Sequence, residues 1–566
     1  MEAKLSRSAP LSGAFRLFIG LAAALILPAC AKAQDVAAGK AAFEANCSLC
    51  HDASPQKQMF QGPPLFGVVG RKLGGVTGFS YSAALKNAGA KGQVWTKASL
   101  DRFLADPQKA MPGTAMPVNV ADAKTRGNIV AYLAGLGGGG AKPKQVMKTK
   151  SAASDLSARL DWHKDAPGVV HEVSVADLPA PYATQSAGNS ARYVAPAAGK
   201  LPVVPAGFAV SVFADGLDGP RLLRAGPNGD LYGVLSGEGK VIVWRNWDGH
   251  PAATPQTFAT GLNQPFGIAF YPQDKPQFVY IANVDSVVRV PIGGGAAQTV
   301  VANLSRGGGH TTRDIAFSKD GRYMYVSVGS GSNVAENMGD APQGWAASHA
   351  LGEAWGSEAG RAMVLRFTPD GGDRHVVATG IRNCVSLVRR PGTDDLYCTV
   401  NERDALGDNL VPDYFTRVQD GQFYGWPWWY LGDHQDPRHK GERADLKGHI
   451  SLPDVLFASH SAPLGLVFYQ PAPGGAANFP ADYTGDAFIA LHGSWNRAQR
   501  TGSKIVRVKF ENGQPSKSYL DFMTGLIVDD HTVNGRPVGA AVGPDGALYV
   551  SDDAGGRIWR IAPVGK

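Results

Sequence analysis

The residues whose types and spacing most directly imply chemistry are Cys47, Cys50 and His51, in the run Cys47-Ser48-Leu49-Cys50-His51. Two thiols spaced C-x-x-C can each add to a haem vinyl group, and the adjacent imidazole is then held where it reaches the iron. A thioredoxin-like redox pair would need a βαβ setting, and a zinc site would need a second pair of ligands; neither accompanies this run. One covalent c-type haem is expected, and with it the handling of electrons. A His-ligated iron takes a sixth ligand, and Met116, in the Pro/Gly-rich run Pro112-Gly113-Thr114-Ala115-Met116, can present a thioether sulfur to it. Met111 is the competing methionine.

A second set of reactive side chains lies far downstream. His310 follows three glycines, and Arg221, Arg313, Arg382, Asn383, Arg497 and Arg536 stand where a structural strand would prefer an apolar residue. Taken singly, each is more readily a solvated loop cation. Their recurrence at equivalent positions of a repeat favours a shared site. A ring of arginines facing a channel suits a polyanion, and a histidine among them suits proton transfer near neutral pH.

The elements that must position these groups follow from the pattern around them. Asp122 to Leu136 has Ile129, Leu133 and Leu136 on one apolar stripe and predicts a helix that closes the haem module, with Gly39 and Phe43 in a first helix. Gly137 to Gly140, then a Lys-rich and an Ala/Pro/Ser-rich stretch to about Lys200, reads as a tether. Trp162, Pro167-Gly168 and Asp177-Leu178-Pro179-Ala180-Pro181 are too apolar for pure linker, so part of that stretch is expected to pack on the second module. From Leu201 a loose unit of alternating apolar strands and Pro/Asp/Gly turns recurs. Its copies start near Gly219-Pro220-Arg221, Gln264-Pro265-Phe266, His310-Thr311-Thr312-Arg313, Ile381-Arg382-Asn383, Ser461-Ala462-Pro463 and Arg536-Pro537-Val538. Six such units predict a six-bladed β-propeller, and the 71 glycines suit its many tight turns. The expected fold is thus a small all-α cytochrome c domain followed by an all-β six-bladed propeller. The expected boundaries are 1–33 for an export signal, 34–137 for the haem domain, 138–200 for linker and lead-in, and 201–566 for the propeller.

The signal is read from Lys4, Arg7 and Arg16, an apolar run from Leu17 to Ala29, and the small-x-small pattern Ala31-Lys32-Ala33. A second reading of Leu27-Pro28-Ala29-Cys30 lipidates Cys30 and tethers the mature chain. Either way export to the periplasm is expected, and no segment is long and apolar enough for a transmembrane helix. Of five cysteines, Cys384 and Cys398 remain, as a cross-strand disulfide or as two buried thiols; both readings stay open. A net charge of +7 over 566 residues is mild, and apart from Lys142 to Lys150 the basic residues are not blocked into runs, so nucleic acid is not indicated.

Residues 35 to 136 resemble class I cytochrome c, with Gly39, Phe43 and Tyr132 at a helix crossing, and Gly62-Pro63 with Gly67-Val68-Val69-Gly70-Arg71 similar to its haem-edge loop. From about residue 160 the chain resembles the L-sorbosone dehydrogenase and soluble aldose sugar dehydrogenase family. The resemblance rests on His310-Thr311-Thr312-Arg313-Asp314-Ile315-Ala316-Phe317, Gly380-Ile381-Arg382-Asn383, Asn401-Glu402-Arg403-Asp404 through Gly407-Asp408-Asn409, Tyr424-Gly425-Trp426-Pro427, His492-Gly493-Ser494-Trp495-Asn496-Arg497 and Gly535-Arg536-Pro537. It implies pyrroloquinoline quinone (PQQ) as cofactor, His310 as catalytic base, Arg382 and Asn383 as a cofactor-binding pair, and Arg497 and Arg536 facing the PQQ carboxylates. It also implies calcium near the acidic loop of Glu402, Asp404 and Asp408, whose hard oxygens suit that ion. The activity so implied is oxidation of a sugar, sugar aldehyde or related alcohol, with electrons leaving through the haem to an external acceptor: another cytochrome, a copper protein or a respiratory chain component. The alternatives are a calcium-dependent propeller lactonase and a non-enzymatic binding propeller attached to an electron carrier. The first leaves the haem unexplained, the second His310 and its arginines.

Overall fold

The computed structural model of the chain describes residues 35–565 apart from 48–49, 56, 58–61, 78, 80, 115, 117–118, 137–151, 185, 228, 246–253, 306–307 and 337. The expected export signal, Cys30 and the Gly137 to Lys150 tether lie outside these residues. No helix among the described residues is long and apolar enough to cross a membrane.

The haem module is built of short helices. Helix Val36–Asn46 begins at Asp35, whose side chain accepts from Ala38 N, and helix Ala123–Gly135 begins at Asp122, which accepts from Thr125 N. The two cross at Gly39, where a Cβ would stand 2.0 Å from the Asn128 carbonyl oxygen, so only glycine lets the backbones approach this closely. Phe43 and Tyr132 meet across the crossing with ring centroids 5.6 Å apart. Phe43, Ile129 and Leu133 are buried in the module's core, against which Met116 and Leu136 pack.

The second module is the expected six-bladed β-propeller. Its innermost strands are Pro220–Ala225, Ile268–Tyr271, Ile315–Phe317, Cys384–Arg389, Pro463–Phe468 and Pro537–Val542, each the first strand of an antiparallel sheet that runs outward. Each neighbours the next, and the sixth neighbours the first. Every repeat start read from the sequence falls at the channel end of one of these strands. The ring is sealed out of sequence order: Phe208–Ala214, ahead of blade one, pairs antiparallel with Arg557–Pro563 as the outer strand of blade six. On the axis, Asp314 is fully buried and accepts from Arg224 Nη2 at 2.8 Å, Leu387 N at 2.9 Å and Ile315 N at 2.9 Å, which ties blades one, three and four through one carboxylate. Cys384 and Cys398 are joined by a disulfide, their Cα atoms 5.7 Å apart. In this strand pair Cys384 stands opposite Val400 and Cys398 opposite Leu387, with a bulge between Cys384 and Ser386, so the bond runs diagonally and does not join directly paired residues.

The lead-in packs on the propeller from 152 onward. Leu156 and Leu160 are buried in a core that centres on blade four. Val170–Glu172 adds a fifth strand to blade five, and Arg192–Tyr193 pairs with Thr532–Val533. Beneath the added strand, Lys504 Nζ lies 2.8 Å from Asp165 and 2.7 Å from Asp521, while His171 Nε2 lies 3.0 Å from Asp521. The two carboxylates and the imidazole come within 4.8 Å of one another, a spacing open to a metal ion, but the lysine already supplies the cation. Removing one partner of a buried charge network leaves the others uncompensated. Lys504→Met is therefore expected to cost about 3–5 kcal/mol of stability, read from denaturant unfolding. A loss below roughly 1 kcal/mol would mean that the cluster does not hold the lead-in to blade five.

Candidate functional site

The loop that carries the expected haem-attachment run is shaped around His51. Its Nδ1 lies 2.8 Å from the Pro63 carbonyl oxygen, which can only accept, so Nδ1 carries the proton and the Nε2 lone pair is left for iron. Burial holds this imidazole below its ordinary pKa, in the neutral form a metal requires. A Cβ at Gly62 would stand 2.1 Å from His51 Cε1, so the glycine forms the wall on which the ring rests. Cys47 is buried and Cys50 half-buried; neither is in a disulfide, and burial pushes Cys47 up to about 12. Two thiols beside an oriented neutral imidazole are the donor set a covalent haem needs. Met116 is half-buried against the same core.

At one mouth of the propeller, loops from several blades enclose a cavity of about 370 Å³. His310, Arg382, Asn383, Arg221 and Arg536 line it, as do Glu402 and Asp404. His310 Nδ1 lies 2.9 Å from both the carbonyl oxygen and the hydroxyl of Ser330, which fixes its proton on Nδ1 and leaves Nε2 as the acceptor. Burial, and next the Arg382 charge, hold His310 well below its ordinary pKa, so it is neutral and can take a proton. Gly329 permits the close approach of His310 and Asn383: a Cβ there would stand 2.7 Å from His310 Cβ and 2.5 Å from Asn383 Oδ1. Asn383 Oδ1 and Thr312 Oγ1 are buried at this cavity with no hydrogen-bond partner among the described residues. Buried polar atoms left in that state are the mark of a site that expects a polar ligand.

Three residues named from the sequence lie elsewhere. Arg313 is fully buried outside the cavity lining, its guanidinium donating to the carbonyls of His310, Thr312 and Ser305. It shapes the loop that carries His310. Arg497 donates to the Asp408 carbonyl at 3.0 Å, and neither residue lines the cavity. The expected calcium ligands therefore divide, with Glu402 and Asp404 at the cavity and Asp408 beside Arg497. Among the described residues no set of carboxylates here brings three ligand atoms within 4.8 Å of one another.

The structure also brings in residues to which the sequence assigned no role. Asn333 Oδ1 accepts from Arg382 Nη2 at 3.0 Å and from Asp404 N at 2.9 Å. His460 faces Asp404 Oδ1 through Nδ1 at 3.1 Å and the Gly407 carbonyl through Nε2 at 3.0 Å. Two acceptors on one ring require both nitrogens to donate, and against the cost of burial Asp404 raises the His460 pKa, so this histidine is cationic. His492 contacts Asp553 at 3.0 Å, and Asp553 also receives Arg221 Nη1. Burial and the Arg536 charge bring His492 down to about 4. Ser190 and Ala191 of the lead-in complete the wall. These contacts join segments far apart in the chain, so no local spacing announces them.

Two buried carboxyls set the charge of the cavity. Burial raises Glu402 to about 7 despite Arg382, and raises Asp413, which accepts from Glu402 N at 2.8 Å, also to about 7. A carboxyl with a raised folded-state pKa makes the folded protein bind more protons than the unfolded chain. Stability is thus greatest below the unfolded values near 4 and is lost as pH rises toward about 7, by roughly 3–4 kcal/mol per group. Unfolding free energies of the PQQ-free protein across that range should show this fall, and Glu402→Gln/Asp413→Asn should flatten it. A parent profile that rises over the same interval would contradict the assignment.

The chain matches the TrAA12-like family over residues 202–414 and 433–563, and cytochrome c over 36–137. It is 26% identical over 370 residues to an uncharacterized protein of Borreliella burgdorferi, covering 63% of this chain and 90% of that one. Cytochrome c2 of Agrobacterium tumefaciens is 41% identical over 100 residues, 18% of this chain and 89% of the relative. Among solved structures, the holo PQQ domain of a pyranose dehydrogenase from Coprinopsis cinerea superposes with a TM-score of 0.52 at 20% identity, over 65% of this chain and 98% of that domain. The calcium structure of a Trichoderma reesei family AA12 enzyme gives 0.52 at 19%, over 67% and 99%. These two share the propeller fold. The haem-attachment run and the match over the propeller together place the chain among oxidoreductases, as a member of the TrAA12-like family that carries a cytochrome c module ahead of its propeller.

Proposed function

We propose that the propeller oxidises a sugar, sugar aldehyde or related alcohol with PQQ held in the 370 Å³ cavity, and that the electrons leave through the covalent haem to an external one-electron acceptor. The observation that carries this reading is His310, neutral, fixed by Ser330 with Nε2 as acceptor, beside Arg382 and the unpartnered oxygen of Asn383. When bound, PQQ supplies a two-electron acceptor. His310 Nε2 takes the proton of the substrate hydroxyl or of a hydrated aldehyde. Arg382, braced by Asn333 and by the carbonyls of Asn401 and Glu402, holds positive charge against oxygens that become anionic. Arg221 and Arg536 would meet the carboxylates of the cofactor, with Asp553 and the His492 carbonyl keeping each cation in place. Calcium would draw on Glu402, Asp404 and Asp413, whose oxygens share this cavity. Met116 is the proposed sixth haem ligand. The Coprinopsis domain is named for a pyranose dehydrogenase, which favours a ring-form sugar as the substrate class. Secretion to the periplasm suits both the haem attachment and the Cys384–Cys398 bond.

The test is His310→Gln, which keeps a hydrogen-bonding side chain of similar size but cannot accept a proton. Turnover should fall by ~10²–10⁴ while PQQ affinity, read by calorimetric titration, stays within a few fold. Turnover near the parent rate would place the base elsewhere, and loss of PQQ binding would make His310 a cofactor ligand.

A further inference from the structure

A second cavity, of about 930 Å³, lies between the two modules. On the haem side it is lined by His51 and Asp52, and on the propeller side by Asn333, Glu336 and Arg438. Asn333 also lines the cavity that holds His310 and Arg382, so this residue borders both. It is rigidly held: its carbonyl accepts from Arg382 Nε at 3.2 Å and Trp426 Nε1 at 2.9 Å, and its amide oxygen from Arg382 Nη2 at 3.0 Å. The loop from Ser330 to Glu336 meets functional groups at every third residue. Ser330 fixes His310, Asn333 fixes Arg382, and Glu336 accepts from Arg438 Nη1 at 2.8 Å. Arg438 Nη2 has no hydrogen-bond partner among the described residues and lies 3.6 Å from Asp52 Oδ1, with side-chain exposures of 11% and 2%. Asp52 directly follows the haem ligand residue His51. An ion pair so far removed from water is weakly screened by salt and strongly sensitive to loss of one partner.

We propose that the loop Ser330 to Glu336 is the electron exit of the propeller, and that the cytochrome module docks on its outer face through an Asp52–Arg438–Glu336 latch. This rests on the proposed dehydrogenase reading. Each substrate molecule oxidised releases two electrons and two protons. The electrons cross singly, each reducing ferric to ferrous iron and leaving to an external one-electron acceptor before the next crosses, and the protons leave the site to solvent. The latch sets the geometry of that crossing, with Asn333, bonded to Arg382, lining both the His310 cavity and the cavity that reaches His51. Neither Asp52 nor Arg438 lines the His310 cavity, so the chemistry upstream of the crossing does not use them.

The experiment uses the full haem-loaded chain as parent, Arg438→Glu, Arg438→Met and the charge swap Arg438→Glu/Asp52→Arg. Small-angle scattering without PQQ should show an expanded particle for Arg438→Glu, a smaller expansion for Arg438→Met, and return to parent dimensions in the swap. With PQQ and a sugar that the parent oxidises, haem reduction should slow roughly tenfold or more in Arg438→Glu and recover in the swap. Reduction of a small artificial acceptor should stay at the parent rate in all four. Parent compactness and parent haem reduction in Arg438→Glu would overturn the latch, as would a swap that folds, takes up haem and restores neither. A parent that reduces no acceptor with any sugar would instead sink the dehydrogenase reading, and the scattering series would still decide the docking.

Discussion

The mouth of this propeller depends on one constraint, that loop carbonyls folded inward away from water must each find a donor. Long arginines meet it. Arg313 binds the carbonyls of His310, Thr312 and Ser305; Arg382 those of Asn333, Asn401 and Glu402; Arg500 those of Ser494, Asn189 and Asp530; and Arg536 those of His492 and Gly493. Each guanidinium carries donors enough to gather two or three loops at once and stays charged when buried. The loops that present His310 and Asn383 are fixed by the same side chains that give the cavity its positive character. Positioning and electrostatics are therefore one property of this site, and an arginine changed for its charge would also loosen the backbone around the base.

That dual use explains where the sequence is legible and where it is not. The haem run needs five adjacent residues, and Gly39, Phe43 and Tyr132 sit at spacings a helix crossing dictates, so both are local and readable. The propeller is readable because a Pro or Arg entry recurs before its inner strands and Pro/Asp/Gly turns follow several of them. The arginines resist such reading: Arg313 and Arg382 occupy similar positions in their repeats, yet one is spent wholly on loop carbonyls and the other also faces the cavity. Asp408 is separated from Glu402 and Asp404 by a reversal of the loop that brings it to Arg497, which a run of acidic residues does not encode. Asn333, Asp413, His460 and the His492–Asp553 pair assemble only when four blades close into a ring. The disulfide runs diagonally across a bulged strand pair, a geometry that residue spacing alone does not encode.

The lead-in changes the division of labour between modules. Its residues 152–200 add a strand to blade five, bury Leu156 and Leu160, and place Ser190 and Ala191 in the wall of the cavity. The segment joining the two modules is thus partly a piece of the catalytic body. On the other side of the same wall, the loop beyond Ser330 carries contacts from the candidate base to the face against which the haem ligand loop rests. A short loop that both fixes the proton acceptor and forms the electron exit would couple the two events that a quinone-dependent oxidation must keep in order.

The central claim is that sugar oxidation in the propeller reduces the haem of the same chain, and only by way of PQQ. The direct measurement supplies PQQ and calcium to the full haem-loaded protein in its ferric state, adds pyranose sugars and sugar aldehydes one at a time, and follows the haem absorbance. Ferrous haem is expected when both PQQ and a suitable sugar are present, and none when either is omitted. Reduction by a sugar without PQQ, or a protein that binds PQQ yet leaves the haem ferric with every sugar tried, would contradict it.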